Sequence, residues 1–196
     1  YLLCVFDKES KLLKGVKFIA IDEELSGYYV LRTHIYEGAL CSACAYALLH
    51  DVLTLDSFMF REKLVKHMTV SIFEEIVPAL NVNFQTVQAY TVEMLQRFED
   101  AFVTVKWREY AESLGDKFKK PIIPVIKRFY ESYEKVPKHL TFALFCTIKL
   151  YNVTNINDSF SQKLKLSKNV LRDKALWGED ISFLKNELEA FEKKLG

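Results

Sequence analysis

An arginine, a histidine and a glutamate stand within six residues of one another in the stretch Arg32-Thr33-His34-Ile35-Tyr36-Glu37-Gly38-Ala39-Leu40-Cys41-Ser42-Ala43-Cys44. Together these groups can bind and polarise a small polar ligand. An arginine presents a two-pronged fork of donors that matches a carboxylate. A histidine moves a proton near neutral pH, and a carboxylate accepts hydrogen bonds from hydroxyls. From Gly38 onward the residues turn small and apolar. The pattern predicts a strand or loop that delivers polar groups to the mouth of a buried helix.

Other residues with chemical potential carry less. The Cys41-x-x-Cys44 pair has no second cysteine or histidine pair to complete a tetrahedral zinc site, so both thiols read as small core residues. Of the four histidines, His34 draws attention by its position. His67 reads as a surface or half-buried residue of a helix, and His139, just after Pro137-Lys138, as a possible lining residue of a site. Glu74 and Glu75 are adjacent, and adjacent residues on a helix point roughly 100° apart. They read as a solvated face with one helix-to-helix salt link. None of the six glycines forms a phosphate-binding G-x-G-x-x-G or P-loop.

The elements that must position these residues are mostly helical. Tyr1–Phe6 and Val16–Ile21 suit short strands, and 22–28 reads as an acidic loop broken at Gly27. Helical spacing begins at Gly38 and should end near His50-Asp51. A second helix is expected from Ser57 as N-cap to about Val77, with Pro78 ending or kinking it. Further helices are expected over Asn83–Glu99 and over Val103–Phe118 with an interruption at Gly115. Another opens between Pro121 and Pro124, and a strongly apolar one runs from Leu140 to Tyr151 behind Pro137. Asn152–Ser161 reads as a loop. Ser167–Leu176 and Asp180–Leu195 close the chain, the last with Ile181, Leu184, Leu188, Phe191 and Leu195 inward.

The totals set limits on class. In 196 residues, half are hydrophobic, 27% are charged and the net charge is +1, which fits a globular domain with a real core. The charges are interspersed without the basic stripe of a nucleic-acid surface, so no nucleic-acid partner is expected. No apolar run approaches the roughly 18 residues of a membrane span, so no membrane partner is expected either. Four cysteines without a disulfide-scaffold composition suggest a reducing, cytoplasmic setting. The chain opens on Tyr1, already strand-like, and is expected to be part of a longer protein.

Several stretches together resemble one family, the long-chain mannitol dehydrogenases with their tagaturonate reductase (altronate oxidoreductase) members. The family's catalytic segment Lys-x-Arg-x-x-Asn-Gly-x-His is similar to Arg32 through Leu40, and its preceding acidic loop to Glu23-Glu24-Leu25-Ser26-Gly27-Tyr28. Phe73-Glu74-Glu75-Ile76-Val77-Pro78-Ala79-Leu80, Arg97-Phe98-Glu99-Asp100-Ala101-Phe102, Lys117-Phe118 with Pro124, Pro137 to Leu144, and Leu176-Trp177-Gly178-Glu179-Asp180-Ile181 match further signatures in order.

The resemblance implies a multi-helix C-terminal domain like that of 6-phosphogluconate dehydrogenase-type long-chain dehydrogenases, with a short β lead-in. Residues 1–30 would close a Rossmann domain otherwise missing from this chain, and residues 31–196 would form the substrate-side helical domain. It implies NAD as the cofactor of the full-length protein, none bound by this chain alone, and a sugar acid or polyol as substrate. Arg32 and Glu37 then hold the family's catalytic Lys and Asn positions, both substituted, and Leu40 holds the His position. An arginine stays protonated and cannot shuttle a proton, and leucine offers no hydrogen bond. His34, Tyr36 and Lys117 are the expected substrate-binding residues. Two readings follow. One is a substrate-side domain of a divergent oxidoreductase, inactive alone, in which Arg32 grips a substrate carboxylate. The other is a non-catalytic binding or assembly domain, in which Arg32 and Glu37 form an ordinary ion pair.

Overall fold

The computed structural model of the chain describes residues 26–100 and 105–195. The expected strands at Tyr1–Phe6 and Val16–Ile21 lie outside them. Among the described residues the architecture is helical, as expected, and the only β pairing is an isolated antiparallel bridge between Thr54 and Lys106.

Two long apolar helices form the centre. α2 (Gly38–Leu48) is buried along nearly its whole length, and α10 (Lys138–Val153) buries Leu140, Ala143, Leu144, Cys146, Leu150 and Tyr151. α2 contributes mainly alanines and cysteines to this seam, and small side chains let two helices approach closely over many turns. Neither helix is a one-sided surface helix. Both are wrapped by the others, which is why their apolar residues are not confined to one stripe.

α2 does not begin at a loop. α1 (Ser26–Val30) runs into a π-helical segment, Leu31–Glu37, that continues directly into α2. The expected strand or loop over Arg32–Glu37 is therefore helix. Gly38 has ordinary helical dihedrals and serves space rather than a turn, because a Cβ there would lie 3.2 Å from Ile76 and 3.7 Å from Ile122.

The expected second helix divides into α3 (Leu55–Met59), α4 (Glu62–Val70), a second π segment (Ser71–Ile76) and α5 (Val77–Leu80). Pro78 does not end it. Proline is tolerated in the first turn of a helix, and the widened π turn just before α5 supplies such a start. The two π segments pack against each other. α6 (Phe84–Glu99) begins as expected, with the Asn83 side chain accepting from the Thr86 N–H.

The chain then breaks at Ser113, which takes a left-handed conformation (φ 62°), and not at Gly115. The break separates α7 (Trp107–Ala111) from α8 (Leu114–Phe118). Gly115 is needed for contact, since the Phe160 ring lies against it. α9 (Ile123–Tyr133) follows Pro121 as expected. The expected loop over Asn152–Ser161 is shorter, because Asp158 caps α11 (Ser159–Leu166) in a reciprocal capping box. The last two expected helices are mostly short turns: 3₁₀ at Val170–Arg172, α12 (Lys174–Trp177), 3₁₀ at Ser182–Leu184, and α13 (Lys185–Leu195) packed on α10. Ile181 and Leu184 are buried, and Leu188 and Phe191 half-buried, as the inward face requires.

Candidate functional site

The first π segment, the start of α2 and α8 enclose a cavity of about 260 Å³, lined by Tyr29, Thr33, Glu37, Cys41, Asp116, Lys117, Lys120 and Pro121. Widening a helix to π geometry displaces side chains from the usual register, and such segments recur at functional sites. Here the segment brings Thr33, Glu37 and Cys41, at i, i+4 and i+8, to one wall.

Glu37 is the best-connected group of this wall. One carboxylate oxygen pairs with the Arg32 guanidinium at 3.0 Å, and the other accepts the Tyr110 hydroxyl at 3.1 Å. The Cys41 Sγ lies 3.5 Å from the same hydroxyl oxygen. Because Tyr110 gives its single proton to Glu37, the thiol is the donor. Burial, reinforced by Cys41 and Glu37, pushes the Tyr110 pKa far up, so Tyr110 remains a donor at any working pH. Burial also pushes the Cys41 thiol up to about 12, which makes it a packing group and not a nucleophile.

Lys117 forms the opposite wall. Its Nζ donates to the Tyr110 carbonyl at 2.6 Å and to the Glu112 carbonyl at 3.1 Å, and it lies 4.0 Å from the centroid of the Tyr110 ring. Two of its three donors are thus spent closing α7 onto α8, leaving one. Asp116 is paired with Lys119 at 2.6 Å. The cavity therefore offers an acceptor-rich carboxylate, the remaining Lys117 donor, the Lys120 ammonium and the Thr33 hydroxyl, a set suited to a small polyhydroxylated molecule.

Of the residues expected from the sequence, Glu37 and Lys117 meet at this cavity. Arg32 does not line the cavity but pairs with Glu37 and lies 4.2 Å over the Tyr36 ring. Tyr36 turns away and packs edge-on against Phe98. His34 donates from Nδ1 to the Pro121 carbonyl at 3.1 Å, and burial, with a smaller push from Arg128, lowers its pKa. It braces a wall residue without lining the cavity. Leu40 is buried in the core.

Tyr110, Cys41, Asp116, Thr33 and Tyr29 were not expected at a site. Tyr110 lies 73 positions from Glu37 in the sequence, and no local pattern announces such a pair.

Three other expectations change. His67 is buried rather than at the surface or half-buried. Glu75 is buried too, and makes no salt link among the described residues: it accepts the backbone N–H groups of His139 and Leu140, each at 2.7 Å. His139 pairs with His67 and does not border the cavity. Cys41, Cys44 and Cys146 are free and buried. Among the described residues no group of three or more His, Cys, Asp or Glu is placed to hold a metal ion, and no helix is long and apolar enough to cross a membrane.

No family model matches the chain. Altronate oxidoreductase of Yersinia enterocolitica is 25% identical over 177 residues, covering 90% of this chain and 35% of the relative. That of Bacillus subtilis is 23% identical, covering 93% and 42%. The chain thus spans well under half of these relatives. The solved structure of Pseudomonas fluorescens mannitol 2-dehydrogenase in a ternary complex with NAD and D-mannitol superposes with a TM-score of 0.76 at 14% identity, over 89% of this chain and 39% of that one. A substrate-free D-sorbitol dehydrogenase gives 0.70 at 11% identity, over 87% and 38%. The resemblance carried by the motifs is borne out: the chain is similar to altronate oxidoreductases over most of its length and has the helical C-terminal domain fold of the mannitol dehydrogenase family.

Proposed function

We propose that this chain is the substrate-side domain of an NAD-dependent oxidoreductase acting on a sugar acid or polyol, and that it does not turn substrate over alone. The observation that carries the proposal is the meeting of Glu37 and Lys117, from two separate family-like motifs, at one cavity of about 260 Å³. The names of the relatives supply the substrate class: altronate oxidoreductase among sequences, and a mannitol complex among structures.

The described residues do not fit a dinucleotide. They contain no strand beyond the single bridge and no glycine-rich turn at a helix start. NAD would be held by a separate Rossmann domain, with residues 1–30 as the lead-in from it. The work of this chain's own residues is binding. Glu37 accepts hydroxyl protons, the free donor of Lys117 meets a ligand oxygen, and Tyr110 fixes the Glu37 carboxylate.

A second reading, a non-catalytic binding domain, is favoured by one observation. The positions that resemble the family's Lys and Asn carry Arg32 and Glu37, paired at 3.0 Å, and the one that resembles its His carries Leu40, buried in the core.

The test is NADH oxidation by the protein carrying an upstream cofactor domain, with tagaturonate or fructuronate as substrate. It is run beside calorimetric binding of altronate and mannitol to this chain. Binding that is lost at least tenfold in Lys117→Ala supports the substrate-side reading. Absence of binding by both ligands overturns it. Comparison with Arg32→Lys/Glu37→Asn/Leu40→His then separates the two readings, since gain of turnover in the triple variant assigns the loss to those three side chains.

A further inference from the structure

The N-terminus of α10 has an unusual anchor. Pro137 occupies the N-cap position and offers no capping side chain. The N–H groups of His139 and Leu140, which no helical carbonyl can satisfy, instead donate to the two carboxylate oxygens of Glu75, at 2.7 Å each, from the second π segment. Beside this cap, the His139 Nδ1 lies 3.3 Å from the Nδ1 of His67 on α4. One turn of α10 is thereby fastened to two other elements by three bonds.

The ring-to-ring bond needs one proton and no more between the facing nitrogens. It holds in the neutral pair and in a pair charged once at an outer Nε2, whereas a second proton between the rings sets two N–H donors against each other at 3.3 Å, with no acceptor between them. His67 cannot turn away to relieve this. Its ring is buried at 7% exposure and packed against Tyr46, Phe142 and His139, with centroids 5.2 to 5.4 Å apart, and its Nε2 is buried without a hydrogen-bond partner among the described residues. The relief available is movement of half-buried His139 and of the helix turn that carries it.

We propose that His67, His139 and Glu75 form an acid-released latch, in which a second proton between the two facing rings detaches the first turn of α10 from α4 and loosens the α2–α10 seam. The latch lies in the core on which the cavity wall is built, because α2 also carries Cys41. The groups that face it are few. Glu74 lies on the π segment and Lys138 on α10, and they act on His139 in opposite directions. Tyr46 and, through it, His50 lie on the α2 side, and the Cys146 thiol acts on Tyr46. Burial depresses the affinity of both histidines for the second proton, that of His67 to about 4 with help from His139. Uptake is therefore coupled to opening, because a released His139 recovers an ordinary imidazole affinity.

Residue-resolved amide exchange tests the latch on the 196-residue chain. Exchange at His139 and Leu140, corrected for intrinsic chemistry, should speed up tenfold or more between pH 7 and pH 5, while amides in the middle of α10 follow later. Two variants should flatten this dependence: His139→Asn, which keeps a hydrogen-bonding group that does not titrate, and His67→Phe, which keeps a ring in the aromatic cage. Glu75→Gln should retain it. Equal protection at the two pH values in the native chain overturns the proposal. So does an acid response that survives in His139→Asn and disappears in Glu75→Gln, since that places the titration in the carboxyl. Imidazole titrations followed by NMR give an independent reading: two rings protonating freely at ordinary, uncoupled values also overturn it.

Discussion

A methyl group added at Gly115 would run into the ring carbons of Phe160, a ring that is itself fully buried between Tyr151 and Trp177. An aromatic ring held on both sides cannot step aside, so Gly115→Ala should cost about 2–3 kcal/mol by overpacking. Gly27→Ala meets nothing within 4 Å and should be close to neutral in the same urea titration. Glu75 makes a different prediction. Burial raises its carboxyl to about 7 against the pull of the His139 and Leu140 N–H groups. A raised folded-state pKa gives stability that is fully present below the unfolded value and is lost as pH rises through about 7. The unfolding free energy should therefore decline from pH 6 to pH 8, by no more than about 1.4 kcal/mol per pH unit for one proton, and Glu75→Gln should flatten that limb. The histidine pair has the opposite sign. Its depressed affinities give stability present above the ordinary imidazole value and lost on acidification, so the two effects together place the optimum near neutrality.

Asp158 binds three parts of the chain at once. Its carboxylate accepts the Ser161 N–H within α11, the Tyr151 hydroxyl at the end of α10 and the Ser113 N–H at the left-handed break before α8. These are charge-assisted bonds, and they draw its pKa below the ordinary carboxyl value despite burial. Asp158→Ala should destabilise by about 2 kcal/mol or more, the cost of a lost cap with donors left unpaired, whereas Asp173→Ala, which frees one short turn, should cost less. Differential scanning calorimetry at neutral pH measures both. The same residue shows where sequence reading stops among the elements. Helices announced by local signals, such as α6 with Asn83 before it and α9 behind its prolines, lie where periodicity puts them. The sequence reads Ser159-Phe160-Ser161, the first turn of α11, as the end of a loop, because these residues and the capping aspartate before them look polar and turn-like until Phe160 is seen to fill the gap over Gly115. The two π segments were illegible for a related reason: a widened turn is chosen by packing against other helices and leaves no local period.

At the scale of the molecule, the helical class and the family resemblance were open in the sequence because ordered motifs cover most of it. The cavity was only half open. Glu37 and Lys117 could be named from their motifs, while Tyr110, which joins them, is selected by the approach of α7 to α2. Burial of the three described thiols makes one more expectation. Iodoacetamide should leave Cys41, Cys44 and Cys146 unmodified in the native chain and react with them only after denaturation, because burial raises all three pKa values. Protection that matches the urea transition would show that the α2–α10 centre opens as one unit. The π segment at Leu31–Glu37 finally hides an extra residue inside a continuous helix. An α-helix advances about 100° per residue, and a π turn holds roughly one residue more than an α turn. Deleting a single residue between Thr33 and Glu37 would let the same turn close with ordinary winding, so α1 would keep its phase with α2 while the side chains inside the segment shift by one position. A ligand would then meet an unchanged frame that presents a rearranged set of groups.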